Sequence, residues 1–253
     1  VVRKNIETEY TEKCFSFVNL PEIKRLKISV KDWGGIVVQN ILQARLPIEI
    51  VDQGALLAVA WDADADRFFL FDENGRSIPS YYLSAFLAAY FCKKNPGAVV
   101  VHDLRLKWAI ADKVRENGGE EVIIAAGRAY FNPAMRRRDA VFGSETSGHY
   151  YFKDFFFTDN GLIPFLLVLK LVSGSGQKVS ELFNEYFARY PITEEINLPL
   201  RSPDLAQPVL QKIQKRYYDA KIDFLDGISL EYPDWRANLR PSHTEPLLRL
   251  NLE

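Results

Sequence analysis

Apolar and polar positions alternate through "LKISV" (26–30) and again through "IEIV" (48–51), while "GIVVQNILQARL" (35–46) between them carries apolar residues at helical spacing. "ALLAVA" (55–60) reads as a further strand, and "DENG" (72–75) as a turn. The amphipathic "SIPSYYLSAFLAAYFCKK" (77–94) predicts a helix. It is followed by strand "GAVVVHDL" (97–104), helix "KWAIADKVRENGG" (107–119) with its Gly stop, and strand "EEVIIAAG" (120–127). Strand–helix alternation of this kind predicts α/β units whose parallel strands are joined by right-handed crossovers. Two more helices follow: "TDNGLIPFLLVLKLVSGSG" (158–176), closed by its Gly/Ser tail, and "KVSELFNEYFARY" (178–190), stopped by Pro191. The remainder combines "ITEEINLPL" (192–200), the helical "SPDLAQPVLQKIQKRYYDA" (202–220), and strands in "KIDFLDGISLEYP", "WRANLR" and "LLRLNLE". We therefore expect an α/β chain with units at 1–75 and 76–190 and a small α+β unit with an antiparallel sheet at 191–253. Heptads, internal repeats and low-complexity tracts are not visible.

The 253 residues carry 32 Lys+Arg against 33 Asp+Glu, a net charge of -1. No global field draws such a chain to nucleic acid or to an anionic membrane, so neither is expected as a partner. With 47% hydrophobic and 13% aromatic residues the chain can bury a substantial core. Cys14 and Cys92 lie in no CxxC spacing, which predicts buried thiols and suits a cytoplasmic protein. The N-terminal "VVRKNIETEYTEKC" lacks the apolar centre of a signal peptide, and "LIPFLLVLKLV" is too short to span a bilayer. Position 1 is Val rather than Met, as expected of a fragment.

"DADADR" places Asp62, Asp64 and Asp66 at alternate positions directly after an apolar run. Three chemistries use such a pattern. In a calcium EF-hand loop these aspartates and Glu73 would fill positions 1, 3, 5 and 12. That pattern wants Gly where Arg67 stands, and helices where the flanks read as strands. In a haloacid-dehalogenase-like phosphatase Asp62 would be the nucleophile. In a divalent-metal site, alternate carboxylates of an extended loop converge on one cation; Mg²⁺ suits an all-oxygen set that leaves positions open for a phosphate oxygen. A solvated acidic turn is the plain alternative, against which stands the mutual repulsion of three carboxylates lacking a cation.

Two further loops carry chemistry. "VFGSETSGHYYFKD" sets Glu145, Ser147 and His149 among Gly143 and Gly148, a combination that can hold adjacent hydroxyls of a sugar or form an ordinary Ser/Gly turn. "NLRPSHTEPLLRL" gathers Ser242, His243 and Thr244 between Arg240 and Arg249, either a phosphate-binding loop or a hairpin with two surface arginines. His102, in "VVVHDLRL", reads as a structural residue at a strand end.

Together and in this order, "DADADR", "GSETSGH" and "RPSHTEPLLRL" resemble the metal, sugar and phosphate loops of the α-D-phosphohexomutases, the phosphomannomutase/phosphoglucomutase family. "FTDNGLIPFLLVLKLVS" fits the same family between them. The resemblance implies two mixed α/β sandwich domains, the first partial, and a small C-terminal α+β domain, corresponding to the family's second, third and fourth domains. It implies Mg²⁺ on Asp62, Asp64 and Asp66, and Arg67 beside the reacting phosphoryl group. Glu145, Ser147 and His149 would lie on the sugar hydroxyls, and Arg240, Ser242, His243, Thr244 and Arg249 on the phosphate that does not react. The implied reaction interconverts hexose 1- and 6-phosphates of mannose or glucose, with a small-molecule sugar phosphate as partner. A hexose 1,6-bisphosphate would serve as intermediate, turning round between a transfer from a phosphoserine to the sugar and a transfer from the sugar back to that serine.

Several departures accompany the likeness. The family's phosphoserine loop, of Thr-Ala-Ser-His-Asn-Pro type, does not occur in these residues, which leaves open a sugar-phosphate-binding protein without catalysis. "KDWGGI" lacks part of the family's glycine-rich loop, and the stretch before "ALLAVA" is shorter than the family's. In "GRAYFNPAMR", Arg128 and Asn132 stand for the usual His and Lys, and His243 stands for the usual Asn. An imidazole there predicts phosphate binding that weakens from mildly acid to alkaline pH.

Overall fold

The computed structural model describes residues 6–32, 45–242 and 244–253. The expected helix 35–46 falls almost wholly outside these residues, as do "KDWGGI" beyond Asp32 and His243. The elements run α1 (Ile6–Phe15), β1 (Leu26–Asp32), β2 (Ile48–Ile50), β3 (Leu57–Trp61), β4 (Phe68–Phe71), β5 (Ser77–Ile78) and α2 (Ser80–Lys94). Next come β6 (Val99–Asp103), α3 (Trp108–Glu116), β7 (Glu120–Ile124), α4 (Arg128–Arg138), β8 (Phe142–Ser144), β9 (Tyr150–Phe152), β10 (Thr158–Asp159), α5 (Leu162–Ser175) and α6 (Val179–Arg189). The chain closes with β11 (Ile196–Pro199), α7 (Ala206–Arg216), β12 (Lys221–Asp223), β13 (Ile228–Glu231), β14 (Arg236–Pro241) and β15 (Leu247–Leu252).

Three five-stranded sheets result: β2-β1-β3-β4-β5, β7-β6-β8-β9-β10 and β11-β15-β14-β13-β12. In the first, β1 pairs in parallel with β2 and β3, and β4 and β5 then add antiparallel. The second repeats that order strand for strand, with β6 parallel to β7 and β8 and then β9 and β10 antiparallel. Here the structure corrects the reading of no internal repeat. The repeat is topological, and the sequence hides it because sheet geometry asks only for alternating burial. One consequence bears on the site: the aspartate loop (62–66) and the loop 145–149 occupy the same hairpin position in their respective units. The first sheet also continues through β5, beyond the boundary expected at 75, because "DENG" is the β4–β5 hairpin turn. The third sheet is wholly antiparallel, as expected.

Burial explains the element choices. In β3, Leu57, Val59 and Trp61 are buried while Ala58 and Ala60 are half-buried, the period of a strand with one favoured face. Helix α5 is apolar nearly all round and buries Leu162 to Leu169 without interruption, because it lies inside a core common to both α/β units. There Phe165 meets Trp61 and Phe68 of the first sheet, at ring distances of 5.3 and 6.0 Å. Helix α2 is less amphipathic than its sequence implies, with residues 81 to 85 all buried. Helix α4 has no counterpart in the pattern reading. Pro133 and a run of arginines obscure its apolar face of Phe131, Ala134 and Met135, which covers the far side of the second sheet. Cys14 and Cys92 are buried free thiols. Among the described residues no single helix is long and apolar enough to cross a membrane.

The third sheet is fastened to the second unit by the loop after β6. The Glu253 carboxylate accepts hydrogen bonds from Tyr81 Oη (2.6 Å), the backbone N–H of Lys107 (2.8 Å) and of Trp108 (3.0 Å), and Arg236 Nη1 (3.0 Å). Arg236 also donates to the carbonyls of Leu104 and Arg105. A charge buried this way is tolerated only because every side of it is paired.

Candidate functional site

The aspartate loop turns tightly between β3 and β4. Ala65 lies in the left-handed region (φ 57), and its N–H donates to the Asp62 carbonyl at 3.1 Å. The carboxylates of Asp62, Asp64 and Asp66 each offer an oxygen within 4.8 Å of the other two. Burial, followed by the neighbouring charges of Asp62, Asp64 and Asp159, pushes the Asp66 carboxyl up, against the pull of His149. An all-oxygen cluster of three converging carboxylates is chemically suited to a hard divalent cation. The EF-hand alternative fails because strands flank the loop and Glu73 is turned to the start of α6, bonding Ser180 N (3.2 Å) and its hydroxyl. Arg67 closes the loop: its N–H donates to Asp62 Oδ1 (3.1 Å), and its Nε lies 3.3 Å from Asp62 Oδ2.

The equivalent hairpin of the second unit abuts this loop. Residues 67 and 149 form an isolated antiparallel bridge, and Phe68 N donates to the Gly148 carbonyl at 3.2 Å. Gly148 has φ +96 and sits against Phe69, where an added Cβ would lie 3.2 Å from the ring, so a side chain there would be strained in its backbone and crowded against Phe69. His149 Nε2 is 3.4 Å from both Arg67 Nε and Asp66 Oδ1, and its Nδ1 is 3.1 Å from Ser147 Oγ. Glu145 is buried and accepts from Tyr151 Oη (2.6 Å) and Ser147 Oγ (3.4 Å). Glu145, Ser147 and His149 are thus one cluster joined to the aspartate loop.

Behind Glu145 stands Arg105, at 3.6 Å. Asp103 holds it through two hydrogen bonds of 2.9 Å, to Nε and Nη2, and also accepts the Thr146 N–H at 2.8 Å. Burial opposes ionisation of Asp103, but the Arg105 guanidinium and these N–H donors outweigh it and hold the carboxyl at about 2. Beyond Arg105, Arg240 and Arg249 are cross-strand partners on β14 and β15. Burial and the nearby Arg105 charge lower the proton affinity of Arg240. Ser242 and Thr244 lie in the hairpin between these strands, where the Thr244 N–H reaches Ser242 Oγ at 3.4 Å. A cleft of about 650 Å³ is lined by Thr146 and Ser147 on one side and by Arg249, Asn251 and Glu195 on the other, with Arg105 between them.

Of the expected residues, the structure joins Asp62, Asp64, Asp66, Arg67, Glu145, Ser147 and His149 directly. It sets Arg240, Ser242, Thr244 and Arg249 together on the C-terminal sheet. Arg128 bridges Asp66 (3.3 Å) and the buried Asp159 (2.9 Å), whereas Asn132 turns away to the Phe157 carbonyl. Sequence reasoning missed Asp103, Arg105, Asp159, Tyr151 and Glu195. For Asp103 and Arg105 a signal existed: two opposite charges at the C-terminal end of an apolar parallel strand, where open α/β sheets place ligands.

Residues 79–190 match the family described as phosphoglucomutase/phosphomannomutase, alpha/beta/alpha domain III. A protein of Xanthomonas campestris pv. campestris (strain B100), named as phosphohexose mutases, is 36% identical over 282 aligned residues, covering 98% of this chain and 62% of its own length. The chain therefore spans less than two thirds of that relative. The crystal structure of a phosphoglucomutase/phosphomannomutase family protein from Burkholderia thailandensis superposes with a TM-score of 0.85 at 22% identity, over 100% of this chain and 61% of the other. A more distant neighbour is the N-acetylphosphoglucosamine mutase of Aspergillus fumigatus in complex with GlcNAc-6P and magnesium. Its TM-score is 0.65 at 14% identity, over 96% of this chain and 66% of the other.

Proposed function

The chain belongs to the phosphoglucomutase/phosphomannomutase family, as a partial-length member, and from that premise we propose that it serves a Mg²⁺-dependent phosphohexomutase. The substrate would be a mannose or glucose phosphate, interconverted between its 1- and 6-phosphates through a bisphosphate. The observation that carries this reading is the continuity of the site. The aspartate loop meets the 145–149 loop through His149, and the 145–149 loop shares one cleft with Arg249 of the C-terminal sheet.

Each part has a task that phosphoryl transfer needs, which is mainly positioning and charge neutralisation. Asp62, Asp64 and Asp66 would hold the Mg²⁺, which when bound neutralises charge on phosphoryl oxygens. Arg67, fixed by Asp62, presents its remaining N–H donors beside that position. Glu145, kept in place by Tyr151 and Arg105, takes two sugar hydroxyls as acceptor, and Ser147 and His149 take others. Arg240, Ser242, Thr244 and Arg249 form a distal anion clamp that reads a phosphate and not the sugar carbon bearing it. Such a clamp accepts either end of a bisphosphate, which two successive transfers in opposite orientations require.

The test uses the protein purified from its source at native length, with mannose 1-phosphate, a trace of hexose 1,6-bisphosphate, and Mg²⁺ present or chelated. Formation of the 6-phosphate only with Mg²⁺ is the expected result. Saturable binding without conversion would favour a sugar-phosphate-binding protein. Release of inorganic phosphate with an acyl phosphate on Asp62 would favour the phosphatase instead.

A further inference from the structure

Glu195 lies in the connector between α6 and β11, and its carboxylate points into the distal anion clamp. Oε1 is 3.5 Å from Arg249 Nη1 and Oε2 is 3.8 Å from Arg240 Nη2, while Asn251 Nδ2 donates to Oε2 at 3.3 Å. The two arginine contacts are ion pairs at a separation that leaves hydrogen-bonding capacity unused. Among the described residues neither Arg240 Nε nor Arg249 Nε has a hydrogen-bond partner, and both are buried. Arg240 is 6% exposed, so this unused donor is a cost to the fold.

Charge points the same way. Arg105 is matched by Asp103 and Glu145, whereas Arg240 feels the half-buried Asp226 as well as Glu195, and among the described residues Glu195 is the half-buried carboxylate that lies within 3.8 Å of both Arg240 and Arg249. Glu245, the other acid near Arg249, lies 3.6 Å away with its side chain 58% exposed, where solvent screens it. A phosphate monoester dianion entering beside Glu195 would set three negative charges, with Asp226 a fourth nearby, against the guanidiniums of Arg240 and Arg249. Its tetrahedral oxygens can meet more donors than a flat carboxylate held at 3.5–3.8 Å.

We propose that Glu195 is the resident counter-ion of the distal clamp, that a phosphate monoester displaces it on binding, and that it thereby sets phosphate affinity. This rests on the phosphate-clamp reading above. Because Glu195 belongs to the connector, its displacement also frees residues 191–195 at the seam between the second α/β unit and the C-terminal sheet.

The test compares wild type with Glu195→Gln, Glu194→Gln and Arg249→Ala by calorimetric titration of inorganic phosphate and of glucose 6-phosphate. Glu195→Gln keeps the side-chain shape and should bind about tenfold more tightly, equivalent to 1.4 kcal/mol. Glu194→Gln removes the same charge from an exposed neighbour and should change binding little, and Arg249→Ala should abolish it. Unchanged or weaker binding by Glu195→Gln, with loss in Arg249→Ala, overturns the role of Glu195 and leaves the clamp standing. An equal gain from Glu194→Gln reduces the effect to net charge and also overturns it. Absence of saturable phosphate binding in all four proteins overturns the clamp and the proposal together. Amide exchange supplies a measurement on wild type alone: residues 191–195 should exchange faster with phosphate bound, and unchanged exchange refutes displacement.

Discussion

Replacing Asp103 with Asn tests the support of the 145–149 loop where its energetics are most concentrated. Asp103 is buried and accepts from Arg105 Nε, Arg105 Nη2 and the Thr146 N–H at 2.8–2.9 Å. Its carboxyl sits at about 2 against an ordinary 3.8, a difference worth about 2 kcal/mol at 1.36 kcal/mol per unit. Asn also turns an N–H₂ toward a buried guanidinium and leaves Arg105 with only Glu145 at 3.6 Å, so the total cost should reach about 3–5 kcal/mol. The sign follows from the depressed pKa. The stabilisation is complete above the unfolded carboxyl pKa and is lost as pH falls toward the folded value of about 2. Urea unfolding of both proteins at pH 7 should give the full gap, and at pH 3 the gap should have narrowed by about 1 kcal/mol. A gap below about 1 kcal/mol at pH 7, or one that stays constant to pH 3, would refute a charged Asp103 anchoring Arg105.

Other expectations follow from the same geometry. Glu145→Ala should weaken hexose phosphate binding by about 1–3 kcal/mol, since it removes an acceptor and leaves Tyr151 Oη unpaired; an unchanged calorimetric isotherm would take Glu145 out of the sugar site. Gly161→Ala should destabilise the fold by about 1–3 kcal/mol and lower Mg²⁺ affinity. Its Cβ would overlap the Ala65 carbonyl and lie 2.9 Å from Trp61 Cδ1, displacing the aspartate loop. Wild-type melting and terbium titration curves for this variant would show that the loop does not depend on that contact.

Periodicity and turn chemistry by themselves determined most of the elements. Alternation marked β1 and β2, short and long apolar runs marked β3 and α5, and Pro191 marked the end of α6, because each is a local consequence of backbone geometry. Sequence also marked the three loops, since their chemistry resides in residue types at fixed short spacings. It did not reveal α4, whose apolar face is broken by Pro133, or the repeated sheet topology, which needs no repeated residues. What only the tertiary structure decided is which charges face one another. Arg67 and His149 are 82 positions apart yet 3.4 Å apart in space, and Glu195 reaches Arg249 only because β11 pairs with β15. Buried ion pairs leave no periodic trace along a chain: each partner alone reads as an ordinary surface charge, and only the fold removes the water between them.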